Sequence, residues 1–296
     1  SIAQPKFFTV TNLMNIYNQN ASLMLSACGL AMVMISGGID LSIGYMASLC
    51  GIVAAMLMKN MNVNFIVSII AAILVVTLCG ALNGILSNKL KIHTMIVTLA
   101  TMTLFQGLSY IISQSKSFSS LPAAFKFIGQ GYLGNLPVSI FALIAIVAVV
   151  SFILNKTHYG RYVYAIGGNP DAAHLAGINV ERVRLRTFAL NGALVGLAAV
   201  LLISRSGSAS SAMGTSLQFD SITACILGGV SFTGGSGKVS NAVLGVLCLG
   251  VLSNGMQLIG WGIYVQYVVK AILLVIAIAF DMYTKNKVLA DDAANG

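Results

Sequence analysis

Residues 64–86 read NFIVSIIAAILVVTLCGALNGIL and contain no charged side chain. A run of about 20 largely apolar residues is long enough to cross the hydrocarbon core of a bilayer as an α-helix. The rest of the chain has the same character, since 57% of its 296 residues are hydrophobic and only 8% are charged. A soluble domain carries about 25% charged residues. The sequence therefore predicts an all-α polytopic membrane protein.

Gaps between charged residues define the other candidate spans. Together with the first stretch, they are about 21–36, 42–58, 64–86, 94–113, 139–154, 187–204, 220–234, 240–259 and 264–282. Residues 220–234 are short and end in glycine, so we expect a broken or re-entrant helix there.

The distribution of Lys and Arg predicts how these spans are oriented, because cytoplasmic loops are enriched in both residues. If the basic stretch 155–186 is a cytoplasmic loop, alternation of the spans places ten Lys and Arg inside and five outside. The same alternation places residues 1–20 outside, so we expect one further N-terminal helix and ten helices in the full protein. The net charge of +9 then reflects this loop bias and not nucleic acid binding.

The spans on either side of the basic stretch predict two inverted four-helix halves, about 21–113 and 187–282, in a single domain covering 1–296. Asn83 and Asn254, each followed by glycine, close the third helix of their halves. Alternation places the first inside and the second outside, as an inverted repeat requires.

A second echo does not fit this register. The sequence GGIDLSIG at 37–44 is similar to GGVSFTGG at 228–235. The similarity is either a coincidence or the mark of two independently broken helices. The spacings from Gly80 to Gly84 and from Gly192 to Gly196 permit close helix contacts, and we interpret them as packing and not as a dimer seam.

The basic stretch 155–186 contains a short helix with a signal at each end. Asn169 is a good N-cap, Pro170 suits the first helical position, and Asp171 favours the positive end of the helix dipole. Gly177 can end the helix in a left-handed conformation. A short, well-capped helix on a loop between membrane spans indicates a functional role.

Asp40 lies in the most unusual intramembrane sequence, with no charged residue among the 33 before it and the 18 after it. Ionisable groups at membrane depth are costly and usually face an aqueous path or a partner. Alternatively, Asp40 and Ser42 cap the helix that begins near residue 42. The two interpretations are compatible.

Asp220 and Lys270 are the other charges that the pattern places in apolar spans. Lys270 interrupts a long apolar run, so it should either extend toward the membrane surface or pair with an acid. A structural pair of Lys270 with Asp220 or with Asp40 is one hypothesis, and a role toward substrate is the other.

We find no pattern for catalysis, metal binding or nucleotide binding. The sequence GGSGKV at 234–239 is similar to a phosphate-binding loop, but that motif requires Gly where this chain has Phe232 and Ser or Thr where it has Val239. The histidines are scattered, the cysteines show no CxxC spacing, and no nucleophile–base arrangement is present. We therefore expect neither enzyme activity nor a bound metal or cofactor in this chain.

Four blocks in order resemble the permease family of bacterial ABC importers for simple sugars, which includes ribose and galactose permeases. They are GGIDLSIG at 37–44, AIGGNPDAAHLAGINV at 165–180, ILGGVSFTGGSGKVSNAVLG at 226–245 and YVQYVVKAILLVIAIAFD at 264–281. The similarity runs through the whole chain, and only the family's first helix has no counterpart in this sequence.

The resemblance implies a multi-pass protein of the bacterial cytoplasmic membrane that pairs with a second permease copy or a paralogue. It implies cytoplasmic ATPase subunits, which bind ATP and Mg, and a periplasmic or lipid-anchored protein that delivers the sugar. The helix that couples the permease to the ATPase then comprises Asn169, Pro170, Asp171, Ala172, Ala173, His174, Leu175, Ala176 and Gly177. Candidates for the translocation path, at the interface of two permeases, are Gly37, Gly38, Asp40 and Ser42.

Two alternatives remain open. Permeases for nucleosides or branched-chain amino acids belong to the same broader group. An ion-coupled secondary transporter with inverted repeats is the alternative from another class, and would use Asp40 and Asp220 as ion-binding acids. That class does not explain a capped helix on the central basic stretch.

Overall fold

The computed structural model describes residues 5–134 and 136–295, and this part of the chain is almost entirely helical. A short 3-10 helix at Pro5–Phe8 precedes the first α-helix, and β1 (Tyr132–Leu133) pairs with β2 (Leu136–Pro137) in one antiparallel hairpin. The helices are α1 (Val10–Ile35), α2 (Ile43–Lys59), α3 (Phe65–Leu90), α4 (Thr94–Ser113), α5 (Ala123–Gln130), α6 (Val138–Lys156), α7 (His158–Gly168), α8 (Pro170–Leu175), α9 (Val180–Ser206), α10 (Thr215–Leu227), α11 (Val239–Leu258) and α12 (Ile263–Asn295). The predicted all-α class is confirmed.

Six helices in the described ranges have the length and apolar composition of a membrane span. They are α3, α4, α6, α9, α11 and the Ile263–Lys285 part of α12. Two further predicted spans are shorter, with 17 residues in α2 and 13 in α10. The prediction of a polytopic membrane protein is therefore confirmed.

Two helix boundaries differ from the predicted span boundaries. The helix that contains the first predicted span, 21–36, begins at Val10, because the Thr9 side chain accepts a hydrogen bond from the Asn12 backbone N–H and starts α1 there. The span predicted at 220–234 is helical only as far as Leu227, so the expected break in this helix is confirmed. It ends at two glycines, the second of which has φ +78°.

The basic stretch 155–186 is mostly helical. It contains the end of α6, all of α7 and α8, and the first turns of α9. Side chains of Thr157, Asn169 and Asn179 each accept a hydrogen bond from the backbone two or three residues later, so three N-caps divide the stretch into short helices. Of the helices within this stretch, the sequence predicts α8 but not α7, because the residues of α7 are largely polar, aromatic or glycine.

The helices pack in the pairs that a repeat of α1–α4 in α9–α12 requires. The α3 helix packs on α9, and α11 packs on α1. The α2 helix contacts α3 and α4, whereas α10 contacts α11 and α12. The inverted orientation of the two halves and their boundaries stay predictions.

Small residues allow α3 and α9 to approach closely. A Cβ atom added to Gly80 would overlap the Phe188 carbonyl, and one added to Gly192 would overlap the Val76 carbonyl. The two glycine spacings therefore face each other within one chain, which confirms that they serve internal packing. Residues 21–35 of α1 are buried, whereas many apolar side chains of α12 are exposed.

Candidate functional site

The α8 helix begins as its sequence predicts. The Asn169 Oδ1 atom accepts hydrogen bonds from the backbone N–H groups of Asp171 and Ala172, each at 3.0 Å. Pro170 occupies the first helical position, where a backbone N–H would have no intrahelical partner, so the missing N–H of proline costs no hydrogen bond. The predicted N-cap is confirmed.

The helix also ends as predicted. Gly177 has φ +84°, and its N–H donates to the His174 carbonyl at 2.9 Å. The N–H of Ile178 donates to the Ala173 carbonyl at 3.0 Å, which completes a Schellman motif. These bonds occupy carbonyls at the helix end that would otherwise lack partners, so α8 is a rigid unit despite having only six residues.

The two faces of α8 differ in exposure. Ala173 is buried against the protein, whereas Leu175 is 88% exposed. Covering a leucine side chain with a partner removes apolar surface from water and contributes about 2 kcal/mol. The end of α8 therefore leaves a large apolar side chain exposed.

A cavity of about 800 Å³ opens beside α8. Its wall includes Pro170 and His174 of α8, Glu181 and Arg184 of α9, and Gly37. The cavity therefore places one of the predicted path residues next to the predicted coupling helix.

Backbone segments from three parts of the chain meet behind α8 at Gly37, Gly167, Gly234 and Gly235, which we call the glycine junction. The Gly235 N–H donates to the Ile35 carbonyl at 2.9 Å and joins the α10–α11 connection to the end of α1. A Cβ atom on Gly167 would overlap the Ile35 carbonyl and lie 2.7 Å from the Gly235 nitrogen. A Cβ atom on Gly234 would lie 2.7 Å from the Gly37 Cα. The similar segments 37–44 and 228–235 thus lie at two breaks between helices, and these breaks are in contact.

Two tyrosines attach α7 to α9 and to the α10–α11 connection. The Tyr164 hydroxyl donates to the Gly237 carbonyl at 2.8 Å, and the Tyr159 hydroxyl shares a hydrogen bond with Thr187 Oγ1, also at 2.8 Å. Burial raises the pKa of Tyr164 and raises that of Tyr159 to about 12. Both hydroxyls are therefore protonated at neutral pH, as the bond from Tyr164 requires.

The α12 helix holds the α10–α11 connection from its other side. The Asp281 Oδ2 atom accepts a hydrogen bond from the Phe232 backbone N–H at 3.1 Å. The Lys285 ammonium donates to Ser231 Oγ at 3.2 Å and to the Gly234 carbonyl at 3.3 Å. No sequence pattern indicated a role for Tyr164, Asp281 or Lys285, since their partners are distant in sequence.

Asp40 is fully buried and forms a hydrogen-bonded group with Ser42, Asn83 and Asn191, which we call the Asp40 node. Its Oδ1 atom accepts from the Ser42 backbone N–H at 2.9 Å and from the Ser42 hydroxyl at 2.6 Å. Its Oδ2 atom accepts from Asn191 Nδ2 at 2.9 Å. The Asn83 Nδ2 atom donates to Ser42 Oγ at 2.9 Å and lies 3.4 Å from the second carboxylate oxygen. The node joins the α1–α2 connection to α3 and α9.

The Asp40 node tests the cap that was predicted for this segment. Ser42 lies at the predicted N-cap position of α2, but its side chain makes no capping hydrogen bond. Asp40 accepts the Ser42 backbone N–H instead, so the prediction is right for the position and wrong for the Ser42 side chain. Within the described residues Asp40 forms no ion pair, so the alternative pair with Lys270 is also wrong. Gly38, Asp40 and Ser42 are buried inside the chain and only Gly37 is exposed. The assignment of these four residues to a translocation path stays a prediction.

Lys270 pairs with Asp220 at a distance of 2.8 Å, which confirms the other predicted pair. The side chains are 18% and 20% exposed, so both charges are only partly buried. The pair links α10 to α12 on the wall of a second cavity.

Replacing Lys270 by methionine should lower the free energy of unfolding by about 2 kcal/mol, because Asp220 would remain as a partly buried charge without its partner. The loss is smaller than for a fully enclosed pair because water reaches both side chains. The exchange Asp220→Lys with Lys270→Asp should recover most of the stability. Thermal unfolding in detergent measures all three proteins, and an exchange variant no more stable than the single variant contradicts a direct pair.

The chain is similar to permease components of known transport systems. Residues 12–278 match the family model described as the branched-chain amino acid transport system / permease component. The chain is 36% identical to the ribose import permease protein RbsC of Haemophilus influenzae, over 98% of this chain and 90% of that protein. It is 36% identical to the L-arabinose transport system permease protein AraH of Escherichia coli, over 96% of this chain and 86% of that protein.

A third relative is the galactose/methyl galactoside import permease protein MglC of Escherichia coli. It is 34% identical, over 94% of this chain and 88% of its own length. No solved structure shows a significant match to the chain.

Proposed function

Because this chain belongs to the branched-chain amino acid transport system / permease component family, we propose that it is the transmembrane subunit of an ATP-driven importer for a simple sugar. The sugar class follows the relatives, whose names specify import of ribose, L-arabinose and galactose. The coupling role is supported by α8, a short helix that is capped at both ends and exposes Leu175. Gly167, just before α8, belongs to the glycine junction.

In this proposal the energy source is a separate protein. ATP and Mg bind to a cytoplasmic ATPase, and α8 enters a groove on its surface. A second permease copy or a paralogue completes the translocation path, and a periplasmic or lipid-anchored binding protein delivers the sugar. The complex lies in the bacterial cytoplasmic membrane.

The glycine junction can transmit a displacement of α8 to the membrane helices. A displacement of α8 acts through α7 on Gly167, which contacts the end of α1 and the α10–α11 connection without an intervening side chain. Backbones in direct contact cannot absorb a displacement by side-chain rotation, and close-packed interiors transmit strain. The Asp40 node follows the junction by a few residues, so the same displacement reaches the start of α2.

Reconstitution tests the proposed function. Proteoliposomes that contain the permease, its ATPase and its binding protein should accumulate labelled ribose, arabinose or galactose only when ATP is supplied. Uptake driven by a sodium or proton gradient without the ATPase would instead assign an ion-coupled transporter. The family description makes a branched-chain amino acid the second candidate substrate, and leucine uptake in the same vesicles tests it.

Replacing Leu175 by glutamate should weaken binding of the ATPase by about 2 kcal/mol, or roughly 30-fold, because a charge would enter the apolar contact. Leu175→Met is the matched control and should bind normally, since it retains volume and apolar character. Co-purification and surface plasmon resonance with the ATPase provide the measurement. Equal affinity of the glutamate variant and the wild type would show that the ATPase binds elsewhere.

A further inference from the structure

A second cavity, of about 540 Å³, lies at the helix ends opposite α8. Its wall contains the C-terminal ends of α9 and α11 and the N-terminal end of α12. The other ends of α9 and α11 lie beside α8 and the glycine junction. In the predicted orientation this is the outer face, and we call the space the outer cavity. Its lining includes Arg205, Asp220, Asn254, Gln257, Trp261 and Tyr267.

The outer cavity combines aromatic faces with planar polar groups. Trp261 is 47% exposed and Tyr267 is 52% exposed, so a ligand can reach both rings. Asp220 supplies carboxylate acceptors, Gln257 supplies an amide with donors and an acceptor, and Arg205 supplies guanidinium donors. A sugar presents C–H faces that stack on aromatic rings and hydroxyls that both donate and accept, so these groups match its chemistry.

Two of the polar groups are free to bind a ligand. Within the described residues, the side chains of Gln257 and Arg205 form neither a hydrogen bond nor an ion pair, and the bond from the Gln130 amide reaches the Arg205 backbone carbonyl instead. Polar groups that converge on a cavity without internal partners are the usual means by which a binding site orients its ligand.

The remaining wall is held in place by internal bonds. Asn254 forms a reciprocal amide pair with Asn12 at 2.9 and 3.0 Å. The Gln266 amide donates to the Trp261 carbonyl at 3.3 Å, and Lys270 fixes the Asp220 carboxylate at 2.8 Å. Because Lys270 balances the charge of Asp220, a neutral ligand can use the free carboxylate oxygen without importing a counter-charge. Pre-positioned groups reduce the ordering cost of binding.

We propose that the outer cavity is a monosaccharide subsite, which receives the sugar when the binding protein releases it and before it enters the translocation path. The inference rests on the proposed function and specifies where this chain first contacts its substrate. The volume lies within the range of roughly 300–1,000 Å³ found for small-molecule sites. Binding is weak, because a site on a conduction path must release its occupant.

Trp261 is the single tryptophan of the chain, so no other tryptophan of the chain contributes to its fluorescence. The purified full chain in lipid vesicles without any other protein is titrated with D-ribose, L-arabinose and D-galactose, and with sodium chloride at matched osmolality. We expect a saturable change in Trp261 emission with at least one sugar, at millimolar concentrations, and none with the salt.

Matched variants separate stacking from a general solvent effect. Tyr267→Ala should raise the half-saturation concentration about fivefold, whereas Tyr267→Phe, which retains the ring, should not. Tyr264→Ala is the control, since Tyr264 lies on the same helix, is 80% exposed and does not line the cavity. Gln257→Ala removes one hydrogen-bonding group and should also raise the value about fivefold.

The outcomes distinguish this inference from the proposed function. Unchanged Trp261 emission with all three sugars, while the complete importer takes up one of them, overturns the subsite and leaves the function intact; Trp261 is then an aromatic anchor at the membrane surface. Emission that responds to the binding protein alone and not to free sugar also overturns the subsite. Absence of ATP-driven sugar uptake by the complete importer overturns the proposed function itself.

Discussion

Replacing Gly167 by alanine should abolish ATP-driven uptake, whereas the same replacement at Gly168 should leave uptake near the wild-type level. A Cβ atom at Gly167 overlaps the Ile35 carbonyl and lies 2.7 Å from the Gly235 nitrogen, which are the two atoms of the hydrogen bond that closes the glycine junction. Forcing these backbones apart costs about 3 kcal/mol and separates α7 from both partners.

Gly168 provides a closely matched control. It follows Gly167 directly in α7, and a Cβ atom there would meet no atom within 4 Å. Alanine also favours the helical conformation over glycine by about 1 kcal/mol, so Gly168→Ala should not destabilise the chain.

Three measurements on both variants test this role of the glycine junction: membrane insertion, thermal unfolding, and uptake in proteoliposomes that contain the ATPase. We expect Gly167→Ala to insert, to unfold at a lower temperature and to lose transport. Wild-type uptake by Gly167→Ala would show that the glycine junction does not link α8 to the membrane helices. Equal losses in both variants would show that the effect is not specific to this contact.

Replacing Asp40 by alanine should lower the free energy of unfolding by about 4 kcal/mol and prevent assembly of the importer. The change removes the acceptor of the Ser42 backbone N–H, the Ser42 hydroxyl and the Asn191 amide, all of which are buried. Each buried donor left without a partner costs about 1–3 kcal/mol. Expression level and thermal unfolding in detergent measure the loss.

Asp40→Asn should be tolerated, with a loss of about 1 kcal/mol. The Oδ1 atoms of Asn83 and Asn191 are buried and have no hydrogen-bond partner within the described residues. Rotation of either amide by half a turn would present an acceptor to the NH₂ group that the substitution introduces, and would keep the node closed.

Uptake by the Asp40→Asn variant tests what the carboxylate does. If the Asp40 node is structural, this variant should transport sugar at close to the wild-type rate. A stable Asp40→Asn protein without uptake would instead assign the charge to an ion or a proton that moves during transport. That result would favour the ion-coupled alternative.

Local chemistry explains which parts of the structure were predictable. The membrane class follows from composition, and the ends of α8 follow from contacts between residues at most five positions apart. Local patterns were less informative in the basic stretch 155–186. Its polar side chains are typical of irregular structure, but three N-caps begin helices within it.

Long-range contacts required the tertiary structure. Asn83 and Asn191 lie 43 and 151 positions from Asp40, and Asn191 was recognisable from sequence only as a polar residue in an apolar span. Likewise, the sequence left Lys270 with two possible acids, and the packing of α10 on α12 selected Asp220.

Hydropathy and capping act between near neighbours, so the membrane class and the capped α8 helix were predictable from the sequence, and the family resemblance lies in short blocks of it. The tertiary structure was needed to show that Gly167 meets Ile35 and Gly235, that Asp40 contacts two asparagines, and that aromatic and polar side chains share the outer cavity. Those contacts depend on how helices distant in sequence cross, and crossing geometry is set by packing over the whole chain.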